Sequence, residues 1–70
     1  MTEYAVVIEN AGDNYSAYVP DLPGCVSVGA TIDEVTENIR AAIELHIASL
    51  REHGEEVPAA TSQTGTVQVA

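Results

Sequence analysis

Tyr15-Ser16-Ala17-Tyr18-Val19-Pro20-Asp21-Leu22-Pro23-Gly24-Cys25-Val26-Ser27-Val28 reads as a strand, an enforced break and another strand. Neither Pro20 nor Pro23 can donate to a ladder, and Gly24 admits the positive φ that a tight reversal requires. Upstream, Tyr4-Ala5-Val6-Val7-Ile8 is β-branched and aromatic, and it runs into Asn10-Ala11-Gly12-Asp13-Asn14, a cluster of turn-forming residues. The spacing predicts a hairpin from the first two strands and a third strand over Cys25-Val26-Ser27-Val28.

Downstream, Thr31-Ile32-Asp33-Glu34 matches a capping box, in which Thr31 accepts from the amide three residues on and Glu34 reaches back to the Thr31 amide. A helix is therefore expected to start at Ile32. Ile32, Val35, Ile39, Ala42, Ile43, His46, Ile47 and Leu50 then recur at spacings of three and four, which draws one apolar stripe along the helix. Asp33, Glu34 and Glu37 lie near the positive end of its dipole and Arg51 near the negative end. Gly54 suits the residue that ends the helix, and Pro58 prevents its resumption. Residues 55–65 are expected to form a mobile loop, and Thr66-Val67-Gln68-Val69 alternates in the manner of a fourth, edge strand.

The resulting expectation is an α+β domain over residues 1–70, of order βββαβ, with an antiparallel sheet and one helix on one face. One helix covers one face, yet the first strand is apolar at both parities: Tyr4, Val6 and Ile8 on one side, Ala5 and Val7 on the other. The second strand sets Tyr15, Ala17 and Val19 against Tyr18 in the same way. A partly apolar sheet face is thus left for another copy or another protein to cover. Leu45 falls on the side of the helix away from the stripe, either as a second contact or as an isolated surface leucine.

Seventy residues leave room for one core, and a domain this small buries only about 60% of its unfolded surface, which makes oligomerisation a natural supplement. A single Cys rules out an intrachain disulfide, and one Cys with two separated His cannot supply a four-ligand zinc site from those soft ligands. The longest apolar run, Tyr4 to Ile8, is far short of the ~20 residues of a membrane span, and no basic leader precedes it. A cytoplasmic location is the expectation. Eleven acids oppose only Arg40 and Arg51, for a net charge of −9, so nucleic-acid backbones and anionic membranes are poor partners and a basic protein is a good one.

Little in the chain resembles catalytic machinery. Asp33, Glu34, Glu37, Glu44 and Glu52 are spread around a solvated helix, while Glu3, Glu9, Asp13 and Asp21 sit at strand ends and turns, where acids serve solubility and steering. His46 and His53 lie about 10 Å apart along a helix at 1.5 Å per residue, too far to share a metal. His46 reads as a packed stripe residue and His53 as a complement to the helix C-terminus. Cys25 reads as a small buried strand residue, because a nucleophilic thiol needs a positioned base. No phosphate-binding or zinc-binding spacing occurs, and no cofactor is expected.

The stretch Tyr15 to Cys25, with Gly29-Ala30-Thr31-Ile32-Asp33-Glu34 and the helix Asn38-Ile39-Arg40-Ala41-Ala42-Ile43-Glu44-Leu45-His46, resembles the HicB family of antitoxins. The resemblance implies a partial RNase H-like βββαβ domain that binds and silences a small basic HicA-type toxin, an enzyme that cleaves messenger RNA. Full RNase H-like enzymes carry metal-binding carboxylates on the sheet, whereas no acid lies inside the first strand here, so nuclease activity is not expected. Many HicB proteins continue into a DNA-binding domain. These seventy residues hold no such module, and operator binding is not expected of them.

The leading expectation is therefore a non-enzymatic antitoxin-like module, with Val7, Tyr18, Asp21, Leu22 and Pro23 as partner-contact residues and Gly24, Thr31, Glu34 and Gly54 as structural ones. A homodimer or higher homo-oligomer is expected beside the toxin. The alternatives are a solitary homo-oligomeric scaffold without a toxin and, last, a small hydrolase recognisable by divalent-metal binding or a low-pKa Cys25.

Overall fold

The computed structural model describes residues 2–70 and places three strands before one helix: β1 (Val7–Asn10), β2 (Tyr15–Tyr18), β3 (Val26–Gly29) and α1 (Ile32–Glu52). The sheet is antiparallel in the order β1-β2-β3. The β1–β2 turn closes with the Ala11 amide donating to the Asn14 carbonyl at 2.8 Å and the Gly12 amide to Asn10 Oδ1 at 2.9 Å.

The β2–β3 connection is a double reversal. The Leu22 amide donates to the Val19 carbonyl at 3.1 Å, and the Cys25 amide donates to the Leu22 carbonyl at 3.0 Å. Pro23 and Gly24 occupy the centre of the second turn, and Gly24 at φ 84° has the backbone of a Pro-Gly type II turn. The Val19 amide donates to the Cys25 carbonyl at 3.1 Å and closes the whole loop. These bonds explain why β1 starts at Val7 rather than Tyr4. Val19 turns its N–H towards Cys25, so Pro20 is the next residue to face β1; it has no N–H to offer, and the residues before Val7 find no ladder partner.

Helix α1 begins where the capping box puts it. Thr31 Oγ1 accepts from the Glu34 amide at 3.0 Å, while Glu34 Oε1 accepts from the Ala30 amide, also at 3.0 Å. The reciprocal arm thus lands one residue earlier than the expected Thr31 amide, because the Thr31 backbone is extended at φ −133° and Ala30 N–H faces the helix. The other end is a Schellman motif: the Gly54 amide donates to Arg51 at 3.1 Å and the Glu55 amide to Leu50 at 2.8 Å, with Gly54 at φ 71°.

The core lies between β2, β3 and α1 and consists of Ala17, Val19, Leu22, Cys25, Val35 and Ile39, with Tyr4, Val6, Tyr15, Ala42 and Ile43 packed around it. Alternation from Ala17 puts Tyr15, Val19, Cys25 and Gly29 on the helix side. Gly29 lets the helix touch the sheet backbone to backbone, since a Cβ there would lie 2.5 Å from the Val35 nitrogen. Asn38 Nδ2 donates to the Val28 carbonyl at 2.8 Å and ties the helix to β3. The lower stripe residues His46, Ile47 and Leu50 are only half-buried, and Ile32 is exposed, because the helix outruns the sheet at both ends.

The expected fourth strand does not form within the chain. Thr66 to Val69 pairs with no strand, and Val67 and Val69 are 87% and 83% exposed. Alternation alone was its signal, and alternation names no partner. Residues 55–65 have neither helix nor strand but are tied at two points. Tyr4 Oη donates to the Pro58 carbonyl at 2.7 Å, and Thr61 and Ser62 bond to Asp21. Among the described residues no helix is long and apolar enough to cross a membrane.

Two substitutions test this construction by urea and thermal unfolding. Thr31→Ala removes the N-cap and should lower stability by about 1 kcal/mol, or about 4–8 °C in Tm for a domain of this size. Gly29→Ala should cost about 1–3 kcal/mol by pushing the helix off β3, although its backbone φ suits any residue. An unchanged midpoint in Gly29→Ala would show that helix and sheet do not meet there.

Candidate partner-binding surface

The face of the sheet turned away from α1 is apolar. Val7 pairs with Tyr18 and Tyr18 with Val26, so three apolar side chains from three strands stand in one row across the sheet. The neighbouring row is Glu9, Ser16 and Val28. Tyr18, Val26 and Val28 are 41%, 64% and 58% exposed, and Val7 is half-buried. A solvated antiparallel face ordinarily carries polar residues at these positions. Here the polar side chains are confined to Glu9 and Ser16.

Val7 and Tyr18, both expected as contact residues, lie side by side on this face. Pro23 is exposed on the turn beside them, but Leu22, expected as a contact residue, is fully buried and belongs to the core. The two reversals around it fold its side chain inward, so it supports the surface from below. Val26 and Val28 join this surface although the sequence alone does not mark them for it. Their signal was the strict alternation Cys25-Val26-Ser27-Val28, which becomes decisive once Cys25 is known to face inward.

Asp21 has a different occupation from the one expected. Its Oδ2 accepts from the amides of Thr61 and Ser62 at 3.0 and 2.9 Å, and its Oδ1 accepts from their hydroxyls at 3.2 and 2.8 Å. Bonds from Ser62 and Thr61 hold the carboxyl below its usual value of 3.8, against a smaller opposing effect of desolvation. No short-range feature links residue 21 to residues 61 and 62, so sequence reasoning had no means of pairing them.

Among the described residues no cluster of three or more His, Cys, Asp or Glu is placed to hold a metal ion. Cys25 and His46 border one shallow depression with Gly24, Val26, Ala42 and Leu45. Burial pushes the Cys25 thiol above its ordinary value of 9.0, which keeps it protonated at neutral pH and works against nucleophilic use. His53 Nδ1 donates to the Ser49 carbonyl at 2.8 Å and serves the helix end. On the helix side, an open groove of about 800 Å³ runs between Tyr4 and Val6 on one wall and Ile39, Ile43 and Ile47 on the other.

Comparison with known proteins gives a consistent result. The family described as "HicB_like antitoxin of bacterial toxin-antitoxin system" matches residues 4–69. A UPF0150 protein of Thermoplasma acidophilum is 39% identical over 66 residues, covering 93% of this chain and 96% of that protein. A UPF0150 protein of Synechocystis is 45% identical over 56 residues, 79% of this chain and 71% of the relative. An uncharacterized protein from the rep-hol intergenic region of Haemophilus phage HP1 is 44% identical over 55 residues, but this chain spans only 41% of its length.

Because the Asp21 carboxyl is held down in the folded state, the docking of residues 61–62 is fully present above the ordinary carboxyl value of 3.8 and is lost as pH falls through the depressed one. The amide signals of Thr61 and Ser62 should therefore move on acidification below pH 3.8 while those of β2 hold, and Asp21→Asn should speed their hydrogen exchange at neutral pH. Exchange at 61–62 that is unaffected by Asp21→Asn would disprove the tether.

Proposed function

The chain belongs to the HicB-like antitoxin family of bacterial toxin–antitoxin systems, and on that premise we propose that it binds and silences a small basic HicA-type toxin that cleaves messenger RNA. It does so by contact and without catalysis of its own. The observation that carries this reading is the apolar row Val7–Tyr18–Val26, exposed on a chain of net charge −9. The acids draw a basic partner in and set the on-rate, while the desolvated apolar row sets the off-rate. The same charge that attracts an RNA-binding enzyme repels RNA, so the antitoxin occupies the toxin without competing for its substrate's phosphates. We place the complex in the cytoplasm, where messenger RNA is found.

Membership supports a toxin as the class of partner, and the acidic charge with the exposed row supports a cationic protein bearing an apolar patch of a few side chains. Contact residues are then Val7, Tyr18, Val26 and Pro23, with Val28 at the margin. A solitary homo-oligomeric scaffold is the second reading, favoured by the exposed residues 66–69, which carry no charged side chain.

The test is recovery of partners on the tagged chain from extracts of its source cells at low and physiological salt. A small basic protein should be retained, and should cleave RNA only when freed. Val26→Glu and Val7→Glu should each weaken its binding by roughly 1–3 kcal/mol, about 5- to 150-fold, with little effect on folding for the exposed Val26. Retention of nothing but further copies of the chain, or affinity indifferent to both substitutions, would overturn this reading.

A further inference from the structure

We propose that residues Thr66–Val69 form a β-strand in trans, adding to the free edge of β1 in a second copy of this chain and closing a reciprocal two-fold dimer. This inference concerns a different element from the toxin-binding row and does not depend on that reading.

Three observations carry it. The segment has strand alternation but no strand partner, with Val67 and Val69 almost fully exposed. It also projects: the radius of gyration is 13.3 Å and the longest extent 46 Å, against about 11 Å for a compact chain of this length and about 32 Å for a 21-residue helix. Finally, its path leads away from the β1 edge of its own chain. Pro58 is held by Tyr4, on the line of β1, whereas Thr61 and Ser62 are held by Asp21, beyond β2. Between those tethers the chain crosses from the β1 side towards the β2–β3 turn.

The edge that receives it is β1. The sheet has two edges, and at β3 the Val28 carbonyl is already taken by Asn38. At β1 no neighbour lies on the outer side among the described residues, so its outward N–H and C=O groups form a template for another strand. Side-chain parity suits the match. A strand beside β1 with Val67 and Val69 turned to the helix side would fill the groove walled by Tyr4, Val6, Ile39, Ile43 and Ile47, and would cover Ile8, now 38% exposed.

Charge selects a second copy as the occupant. All eleven acids and both arginines lie within residues 3–56, and residues 57–70 have no charged side chain. Two bodies of this acidity repel one another, so the element able to reach across is the neutral one. A basic partner, by contrast, would be drawn to the acidic body rather than to the uncharged arm.

Light scattering and sedimentation of the full chain from micromolar to sub-millimolar concentration should give a two-copy mass. Introduced together, Gln68→Pro and Val69→Pro remove two successive amides, one of which must face β1 because strand amides alternate in direction; the pair lies outside the core and should raise the dimer dissociation constant by roughly tenfold or more while leaving the unfolding midpoint of the isolated chain unchanged. In a mixture of isotope-labelled and unlabelled chains, methyl contacts of Val67 and Val69 with Val6 and Ile8 should appear between copies. A monomer at every concentration, a dimer indifferent to the double proline variant, or methyl contacts found only within one chain would each overturn the proposal. The last would mean that the arm closes on its own sheet.

Discussion

The reversal between Val19 and Cys25 is the constraint on which the rest of this domain depends. Three backbone bonds close it, Gly24 supplies the one positive φ it needs, and Leu22 is driven into the core at its centre. Its length fixes the β2–β3 register, and that register places Val26 opposite Tyr18. With a slip of one residue, Cys25 would face water and Val26 the helix, and both faces would lose their character. The same loop stops β1 from pairing before Val7 and presents Asp21 to residues 61 and 62. Core, outer face and the path of the later chain are thus set by seven residues with two prolines among them.

The helix contributes a second constraint through Gly29. Contact between the Gly29 backbone and Val35 brings α1 down on β3, and Asn38 reinforces that side. The helix therefore sits off-centre, over β2 and β3, and leaves β1 uncovered on its helix side. This asymmetry is the physical origin of the groove beside Tyr4 and Val6 and of the open β1 edge. A domain of this size has one helix to distribute, and a helix centred on β2 would have covered every strand partly. The observed packing covers two strands well and exposes the third.

Most of the local structure was legible in the sequence because its signals are local. The Pro-Asp-Leu-Pro-Gly break, the Thr31–Glu34 capping box and Gly54 each act within about five residues. What escaped was long-range. Asp21 meets Thr61 and Ser62 across forty residues, and Thr66–Val69 has strand character with no strand beside it. Leu22 shows the same limit at short range. An apolar residue between two prolines in a turn looks exposed until the hydrogen bonds of both reversals are known, and only then is it seen to point inward. On the outer face the parity of Val7 and Tyr18 was readable, but the membership of Val26 and Val28 required the register of β3.

Solubility and adhesion are reconciled in this chain by segregation. Two apolar surfaces on so small a body would ordinarily lead to indiscriminate association. The body that carries them bears eleven acids against two arginines, and the one ion pair between side chains among the described residues, Glu37 with Arg40 at 3.6 Å, is solvated on both sides and contributes little. Nearly all of the negative charge therefore remains uncompensated, and it acts at range before any apolar contact forms. A body of this charge repels surfaces of like charge and attracts cationic ones. Apolar contact then supplies duration only to encounters that the charge has already admitted, which is how a seventy-residue domain can be adhesive and selective at once.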